Sequence, residues 1–116
     1  MKRIKRSECA ILPLVLKGKW YDMIASGEKR EEYRDYKPFW IKRIVRWSHN
    51  SLRISKTPKA QVVAFSRGYK KADMFFKVFG VSRSFDYPYR PSFLKWGEPE
   101  TPHFIIHLGE RVELVD

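Results

Sequence analysis

The stretch SGEKREEYR, residues 26–34, follows a short helical pattern, and most of it is expected to form a strand over residues 29–34. Gly27 stands where a glycine commonly ends a helix. Successive side chains of a strand point to opposite faces, so Glu32 and Arg34 share one face. Neither face is apolar, although a half-buried strand normally alternates apolar and polar residues. Packing alone therefore does not explain this strand.

Two explanations for the charged strand remain open. An exposed edge strand uses charges to discourage edge-to-edge aggregation. Alternatively, one face lines a polar cleft, in which the Glu32 carboxylate would hold the Arg34 guanidinium in one orientation for a phosphate or a base edge. Lys29, which starts the strand just after the glycine turn, would then add a second cation at the mouth of the cleft.

Hydrophobic patterning predicts two helices and several strands around this stretch. A strand over residues 11–17 and a helix over residues 18–26 precede it. Pro38 opens a second helix, over residues 38–47, because proline is tolerated in the first turn, and residues 48–59 are predicted to be a basic loop. The second half of the chain is predicted to contain further strands, over residues 60–67, 72–85, 103–108 and 111–115.

Two glycines mark irregularities in these later strands. Gly80, inside the strand over residues 72–85, indicates a β-bulge or a barrel corner. Gly109 followed by Glu110 is the two-residue signal of a type II′ hairpin. We therefore expect the last two strands of the chain to pair with each other.

Length and composition predict one compact domain. The chain has 116 residues, of which 43% are hydrophobic and 16% aromatic, so a core can form without disulfides. Several strands with two early helices predict an α+β fold, a small mixed β-barrel of about five to six strands with two or three short flanking helices. We expect residues 10–116 to form this domain and residues 1–9 to be a basic flexible arm.

The chain is strongly basic, with 24 Lys or Arg against 13 Asp or Glu and a net charge of +11. Ten Lys or Arg and no acidic residue lie between Tyr36 and Ala72. A field of this sign attracts polyanions and speeds their encounter, although such charge also serves solubility alone. Four aromatic residues are candidates for stacking on unpaired bases: Tyr69, Tyr87, Tyr89 and Trp96.

The predicted helix over residues 38–47 is amphipathic, with Trp40 on an apolar stripe that we assign to the core. The charged face of such a helix is usually only solvated. Taken together with basic residues of the second half, however, it predicts a surface for the phosphate backbone of a nucleic acid. Six cations make up this predicted surface: Lys42, Arg43, Arg46, Arg67, Lys70 and Lys71.

The remaining reactive side chains predict no metal site and no cofactor. Cys9 is the only cysteine, which excludes a disulfide framework and a multi-cysteine zinc site and fits a reducing compartment such as the cytoplasm. His103 and His107 would lie too far apart along a strand to share one metal easily, and each is expected to be a hydrogen-bonded histidine of the barrel. The apolar run over residues 11–16 is too short to span a membrane.

The spacing of Gly27, Lys29, Glu32 and Arg34 matches the signature GxKxxExR and resembles the ASCH domain family, a branch of the PUA-like superfamily. The context is similar too, because the strand ILPLVLK and a short helix containing Trp20 precede the signature. Later in the chain, FKVFGVSR resembles a barrel strand of the same superfamily.

This resemblance implies a small PUA-like β-barrel flanked by helices, in which a cleft beside the signature binds RNA or a modified nucleobase. Carried over to this chain, it makes Gly27 the turn and Lys29, Glu32 and Arg34 the residues of the cleft. We therefore expect a monomeric, cytoplasmic, RNA-binding module that recognises a nucleotide with these three side chains.

An enzymatic function stays open beside RNA binding. Some ASCH-like proteins resemble small amidohydrolases that act on an acylated cytidine, using a Lys, a Thr nucleophile three residues later and a distant Glu. Here Lys29 is present but Glu32 occupies the nucleophile position, so a hydrolase would use Glu32 as a general base for water. A metal-free nuclease acting on RNA would use Lys29 and Glu32 together with Arg34.

A protein-interaction module is the third class, because some ASCH domains occur in transcription coactivators. The acidic C-terminal segment, residues 98–116, would then meet a basic partner. The same segment could equally pack near the basic half of its own chain.

Overall fold

The computed structural model describes residues 1–51, 59–87, 89–91 and 94–116. Within these residues the fold is α+β, with a six-stranded mixed sheet and two α-helices. The strands are β1 (Lys2–Lys5), β2 (Cys9–Leu16), β3 (Glu31–Asp35), β4 (Ala60–Arg67), β5 (Met74–Arg83) and β6 (His103–Val115). The helices are α1 (Gly18–Ala25) and α2 (Pro38–Ser51), and 3₁₀ turns cover Arg6–Glu8, Ser84–Asp86 and Leu94–Trp96.

The sheet has the strand order β1-β6-β5-β4-β2, and β3 pairs with β6 outside this order. β3 pairs antiparallel with residues 103–107 of β6, and β1 pairs parallel with residues 112–115. At the other end, β2 pairs parallel with β4. No strand pairing among the described residues joins β2 to β3, so the sheet is not closed into the predicted barrel. Pro13 in β2 lacks the N–H that a further ladder would use there.

The N-terminal residues 1–9 differ from the flexible arm that their basic composition predicts. Lys2–Lys5 form β1, and Ile4 is buried beside Val112 of β6. The cations of this segment meet the acidic end of the chain, where Lys2 lies 3.8 Å from Glu110 and Arg3 lies 3.5 Å from Glu113. One buried isoleucine and complementary charge therefore hold a segment that a composition argument assigns to solvent.

The predicted hairpin at Gly109 is wrong, because His103–Val115 form one continuous strand. Gly109 does not have the positive φ that opens a type II′ turn. A Cβ at this position would lie 3.2 Å from the Lys77 carbonyl oxygen of β5, so the glycine serves a close approach of two strands. The bulge expected at Gly80 is confirmed, since the pairing of β5 with β6 shifts between Val78 and Gly80.

Both predicted helices are confirmed, and each starts where expected. α1 begins at Gly18 and ends at Ala25. α2 begins at Pro38 but extends to Ser51, so the first part of the predicted loop over residues 48–59 is helical; residues 52–58 of that loop lie outside the described residues. Neither described helix is long and apolar enough to cross a membrane.

The main core lies between the sheet and the two helices. β2 contributes Leu12, Leu14 and Leu16, and burial of each such side chain is worth about 1.5–3 kcal/mol. α1 adds Ile24 and α2 adds Ile44, which packs with the apolar stripe predicted for this helix. The helices are therefore fixed against β2, beside the gap that separates β2 from β3.

Candidate functional site

The gap between β2 and β3 is occupied by a cleft of about 640 Å³. Pro13 and Val15 of β2 form one wall, and Glu32, Tyr33 and Arg34 of β3 form the other. The guanidinium of Arg34 spans the gap, because its Nη2 donates a hydrogen bond of 3.0 Å to the Val15 carbonyl oxygen. The cleft thus lies where a further strand pairing would have closed the sheet. The end of β2, both helices, the 3₁₀ turn at Leu94–Trp96 and the connecting loops complete the lining: Leu16, Lys17, Trp20, Lys29, Phe39, Trp40, Arg43, Trp96, Gly97 and Pro99.

The end of α1 positions Lys29 at this cleft. Gly27 has a φ of 85°, the left-handed conformation that favours glycine after a helix. Its N–H donates to the Ile24 carbonyl at 3.1 Å, and the Lys29 N–H donates to the Met23 carbonyl at 3.0 Å. These two bonds turn the chain back across the helix end, so the Lys29 side chain enters the cleft immediately before β3 begins.

Lys29, Glu32 and Arg34 form a buried ionic cluster in the cleft. Lys29 Nζ lies 2.9 Å from Glu32 Oε1, and Arg34 Nη1 lies 3.4 Å from Glu32 Oε2. The backbone N–H of Tyr33 also donates to Glu32 Oε1, at 2.9 Å. Lys29 is only 2% exposed and Glu32 only 4%. The three side chains together carry one net positive charge, and the side chain of Arg34, which is 15% exposed, reaches into the open part of the cleft.

Burial decides between the two explanations of the charged strand. Within the described residues β3 pairs with β6 alone, as an edge strand does, but Glu31, Glu32 and Tyr33 are all buried. Solvated charges that discourage aggregation would be exposed, so that explanation does not fit. Burying an ion costs several kcal/mol unless it is well paired. A contribution to stability therefore does not by itself explain a cluster that carries one excess positive charge.

One oxygen of the cluster is unsatisfied. Among the described residues Glu32 Oε2 is buried and accepts no hydrogen bond, although Arg34 Nη1 lies 3.4 Å away as an ion-pair partner. A buried acceptor without a partner costs about 1–3 kcal/mol. Buried polar atoms are nearly always hydrogen-bonded, and a hydrogen-bond donor on a bound molecule would satisfy Glu32 Oε2.

Aromatic rings form the walls around these charges. Lys29 Nζ lies 4.8 Å from the centroid of the Trp20 ring and 5.4 Å from that of Tyr33. The Arg34 guanidinium carbon lies 5.1 Å from the centroid of the Trp40 ring. The sequence assigned Trp40 to the core alone; it is partly buried there, and it also lines the cleft. Cation–π contacts hold both cations against flat apolar surfaces.

A second buried network supports the far side of the cleft. Arg90 Nη2 lies 2.6 Å from Glu31 Oε2, and Arg90 Nε lies 3.1 Å from Glu98 Oε2. His103 Nε2 is also 2.9 Å from Glu98 Oε2. Burial lowers the pKa of Arg90, but its hydrogen bonds to Glu98 and Glu31 outweigh burial and raise it. The network ties Glu98, next to the cleft-lining residue Gly97, to the sheet.

The sequence reasoning missed this network and the role of Gly97. Arg90 and Glu31 are 59 residues apart in the chain, and no motif connects them. Gly97 has a φ of 76°, and a Cβ there would lie 2.7 Å from Cζ2 of Trp20. The glycine, within a stretch that reads only as a proline-rich loop, therefore lets the backbone lie directly against the Trp20 indole.

The predicted phosphate-contacting cations fall into two groups. Lys42, Arg43 and Arg46 project from α2 and line a second cavity of about 500 Å³ against β2, and Arg43 also lines the cleft. The other three predicted cations line neither cavity. Of these, Arg67 pairs with Asp22 at 3.3 Å, whereas Lys70 and Lys71 are exposed between β4 and β5.

The other sequence candidates lie mostly outside the cleft. Of the four aromatics considered for stacking, only Trp96 lines it; Tyr87 instead donates a hydrogen bond to Ser82 Oγ at 3.0 Å. Both histidines are hydrogen-bonded as expected, His103 to Glu98 and His107 to Ser82. In the part of the chain that the structure describes, no three His, Cys, Asp or Glu side chains are grouped as metal ligands.

Comparison of the chain with protein-family models, with curated proteins and with solved structures finds no match.

Proposed function

We propose that this chain is an ASCH-type, RNA-binding module of the PUA-like class, whose barrel is left open between β2 and β3 so that the cleft can hold one unpaired nucleotide. The four signature positions support the proposal, because Gly27 turns the chain and Lys29, Glu32 and Arg34 meet in that cleft.

The observation that carries the proposal is the buried, unsatisfied Glu32 Oε2 inside an aromatic-walled cleft. The amino and imino groups of nucleobases are hydrogen-bond donors, and a carboxylate accepts from the cytosine amino group in particular. A base stacked between aromatic side chains is the usual mode of recognition in single-stranded RNA. The volume of about 640 Å³ lies within the range of small-ligand clefts.

Charge supports a polyanionic ligand over a basic protein partner. The acidic residues near the C-terminus are already paired within the chain, since Glu110, Glu113 and Asp116 lie within 4 Å of basic residues near the N-terminus. The α2 cations, by contrast, form no ion pair with any described carboxylate. The surface next to the cleft is therefore positive, and the acidic surface is partly neutralised.

The cleft supports binding better than hydrolysis. None of the described residues that line it is a Ser, Thr or Cys, so a covalent mechanism would lack its usual nucleophile. Glu32 Oε1 is already engaged by Lys29 and by the Tyr33 N–H. Hydrolysis would have to proceed through water activated by the remaining oxygen, Glu32 Oε2.

The test is fluorescence anisotropy with a labelled single-stranded RNA octamer, the same sequence as DNA, and an RNA duplex, over a series of salt concentrations. We expect single-stranded RNA to bind most tightly and with a steep salt dependence. Glu32→Gln should weaken this binding by about tenfold through loss of a charge-assisted acceptor. Glu28→Gln, at an exposed position just before Lys29, is the matched control and should bind like the parent.

The same samples, run on a denaturing gel, separate binding from catalysis. Intact RNA together with the expected affinities supports the binding module. Cleavage that disappears in Glu32→Gln but persists in Glu28→Gln would move the function to a nuclease. Equal binding by both variants, each checked for folding by circular dichroism, would contradict a role for the cleft.

A further inference from the structure

The second cavity, a groove between α2 and β2, has an apolar floor and a cationic rim. Its floor is built from residues 10–12 of β2 and from Trp47, whose Nε1 donates a hydrogen bond of 2.8 Å to the Ala10 carbonyl oxygen. The rim carries the exposed side chains of Lys42, Arg43 and Arg46. All the ionisable groups that line the groove are therefore positive.

These rim cations differ from most arginines of the described structure. Arg67, Arg83 and Arg90 each pair with a carboxylate. None of the three rim cations forms an ion pair with a carboxylate in the described parts of the chain, and α2 itself contains no acidic residue. A row of uncompensated cations beside an apolar floor attracts an anion that also presents some apolar surface.

The groove is continuous with the cleft. Phe39 and Arg43 line both, and the Arg43 guanidinium carbon lies 4.3 Å from the centroid of the Phe39 ring. Phe39 is 57% exposed. The stacked pair therefore forms a flat surface, accessible to a ligand, where the groove meets the cleft. Lys42 and Arg46 follow on the same side of α2, about 6 Å apart along the helix axis.

We propose that the groove is a second subsite, which holds the sugar–phosphate backbone next to the nucleotide in the cleft, so that the ligand is a single-stranded oligonucleotide rather than a mononucleotide. This inference rests on the proposed function. The Phe39–Arg43 pair marks where the strand passes from one cavity to the other, and Lys42 and Arg46 contact successive phosphates. A duplex would have to release a base from its stack before that base could enter the cleft.

Two double variants with the same loss of charge test the groove. Lys42→Ala/Arg46→Ala removes two cations from the rim, and Lys5→Ala/Arg111→Ala removes two exposed cations that line neither cavity and do not belong to the six predicted to contact phosphate. At about 100 mM salt, where screening acts over about 10 Å, we expect the rim variant to bind the labelled RNA octamer about tenfold more weakly. Its salt slope should fall by about 1.4, since each phosphate contact on a single strand contributes about 0.7. The other variant should lose less than about threefold.

Displacement of the octamer by the four ribonucleoside 5′-monophosphates provides the second readout. We expect each monophosphate to displace the labelled octamer much less effectively than the unlabelled octamer does. The affinity of the monophosphates should be the same for the parent and for the rim variant. If the octamer binds but both double variants weaken its binding equally, or if a monophosphate competes as well as the unlabelled octamer, the groove is not a subsite. The proposal for the cleft is unaffected by either result. If the parent binds no nucleic acid, both proposals fail.

Discussion

Tyr33 lies at the back of the cleft, and its hydroxyl is buried without a hydrogen-bond partner among the described residues. Burial raises the pKa of this phenol, and the neighbouring carboxylates of Glu31 and Glu98 raise it further. The folded chain therefore retains the proton of Tyr33 at a pH where an unfolded chain, with a tyrosine pKa of about 10, has lost it. Because the folded state then binds more protons, its stability falls as the pH rises above about 10.

Replacement of Tyr33 by phenylalanine should remove this alkaline sensitivity. Above pH 10 loss of the Tyr33 proton in the unfolded chain alone lowers the free energy of unfolding by about 1.4 kcal/mol per pH unit. The free energy of unfolding of Tyr33→Phe should therefore fall less steeply with pH than that of the parent, by this amount. At neutral pH the variant should be as stable as the parent or about 1 kcal/mol more stable, because an unpaired buried hydroxyl is removed. Urea denaturation between pH 8 and 11.5 measures both effects.

Tyr69→Phe, at a fully exposed position, is the control for Tyr33→Phe. Equal pH slopes in the two variants would show that the Tyr33 hydroxyl is not buried as described. A clear loss of stability at neutral pH in Tyr33→Phe alone would show that the hydroxyl has a partner.

For single residues, the spacing of the signature was enough to predict that its side chains lie close together. Lys29, Glu32 and Arg34 lie within eight residues of Gly27, so a helix end followed by a strand brings them together locally. The Arg90–Glu31 pair joins residues far apart in the chain. Only the tertiary structure reveals this pair, because an ion pair between residues distant in the chain leaves no characteristic spacing in the sequence.

Among the elements, the segment over residues 94–99 lies in close contact with α1, because Gly97 packs directly against the Trp20 ring. Gly97 and Gly68 both have positive φ, of 76° and 66°. They differ in surroundings: a Cβ at Gly97 would meet the Trp20 ring, whereas a Cβ at Gly68 would meet nothing within 4 Å. Backbone strain is thus common to both positions, and only Gly97 adds a steric conflict.

Gly97→Ala should therefore destabilise the chain more than Gly68→Ala. Backbone strain costs each variant about 1–2 kcal/mol, and overpacking against Trp20 adds about 1–3 kcal/mol to Gly97→Ala only. Because Trp20 is a wall of the cleft, Gly97→Ala should also weaken RNA binding while Gly68→Ala should not. Thermal unfolding and anisotropy measure the two effects, and identical behaviour of both variants would contradict the contact.

Elements with their own periodicity or capping signals could be predicted from the sequence. The strand over residues 60–67 and the starts of both helices agree with the structure. β1 and the continuous β6 could not be predicted, because each depends on segments distant in the chain. β1 pairs with the second half of β6, and Ile4 is buried in a cluster with Cys9, Val62 and Val112. Gly109 also reads as a turn when the adjacent β5 backbone is unknown.

For the whole molecule, the net charge of +11 is less informative than its distribution. Basic residues near the N-terminus are paired with acidic residues near the C-terminus, which leaves α2 as an uncompensated positive surface beside the cleft. The sequence showed that the basic region lacks acidic residues. It could not show that, of the described residues of this region, those at the cleft belong to α2, since this depends on how α2 packs against β2.

The most direct measurement of cleft recognition is the RNA affinity of Arg34→Ala at several salt concentrations, beside Arg111→Ala. Arg34 spans the cleft, whereas Arg111 is exposed and lines neither cavity, so both variants lose one charge but only Arg34→Ala alters the proposed recognition surface. We expect Arg34→Ala to bind the octamer about tenfold more weakly at every salt concentration, and Arg111→Ala to stay within about twofold of the parent. If folded Arg34→Ala binds RNA as tightly as the parent across the series, the cleft between β2 and β3 is not the recognition site.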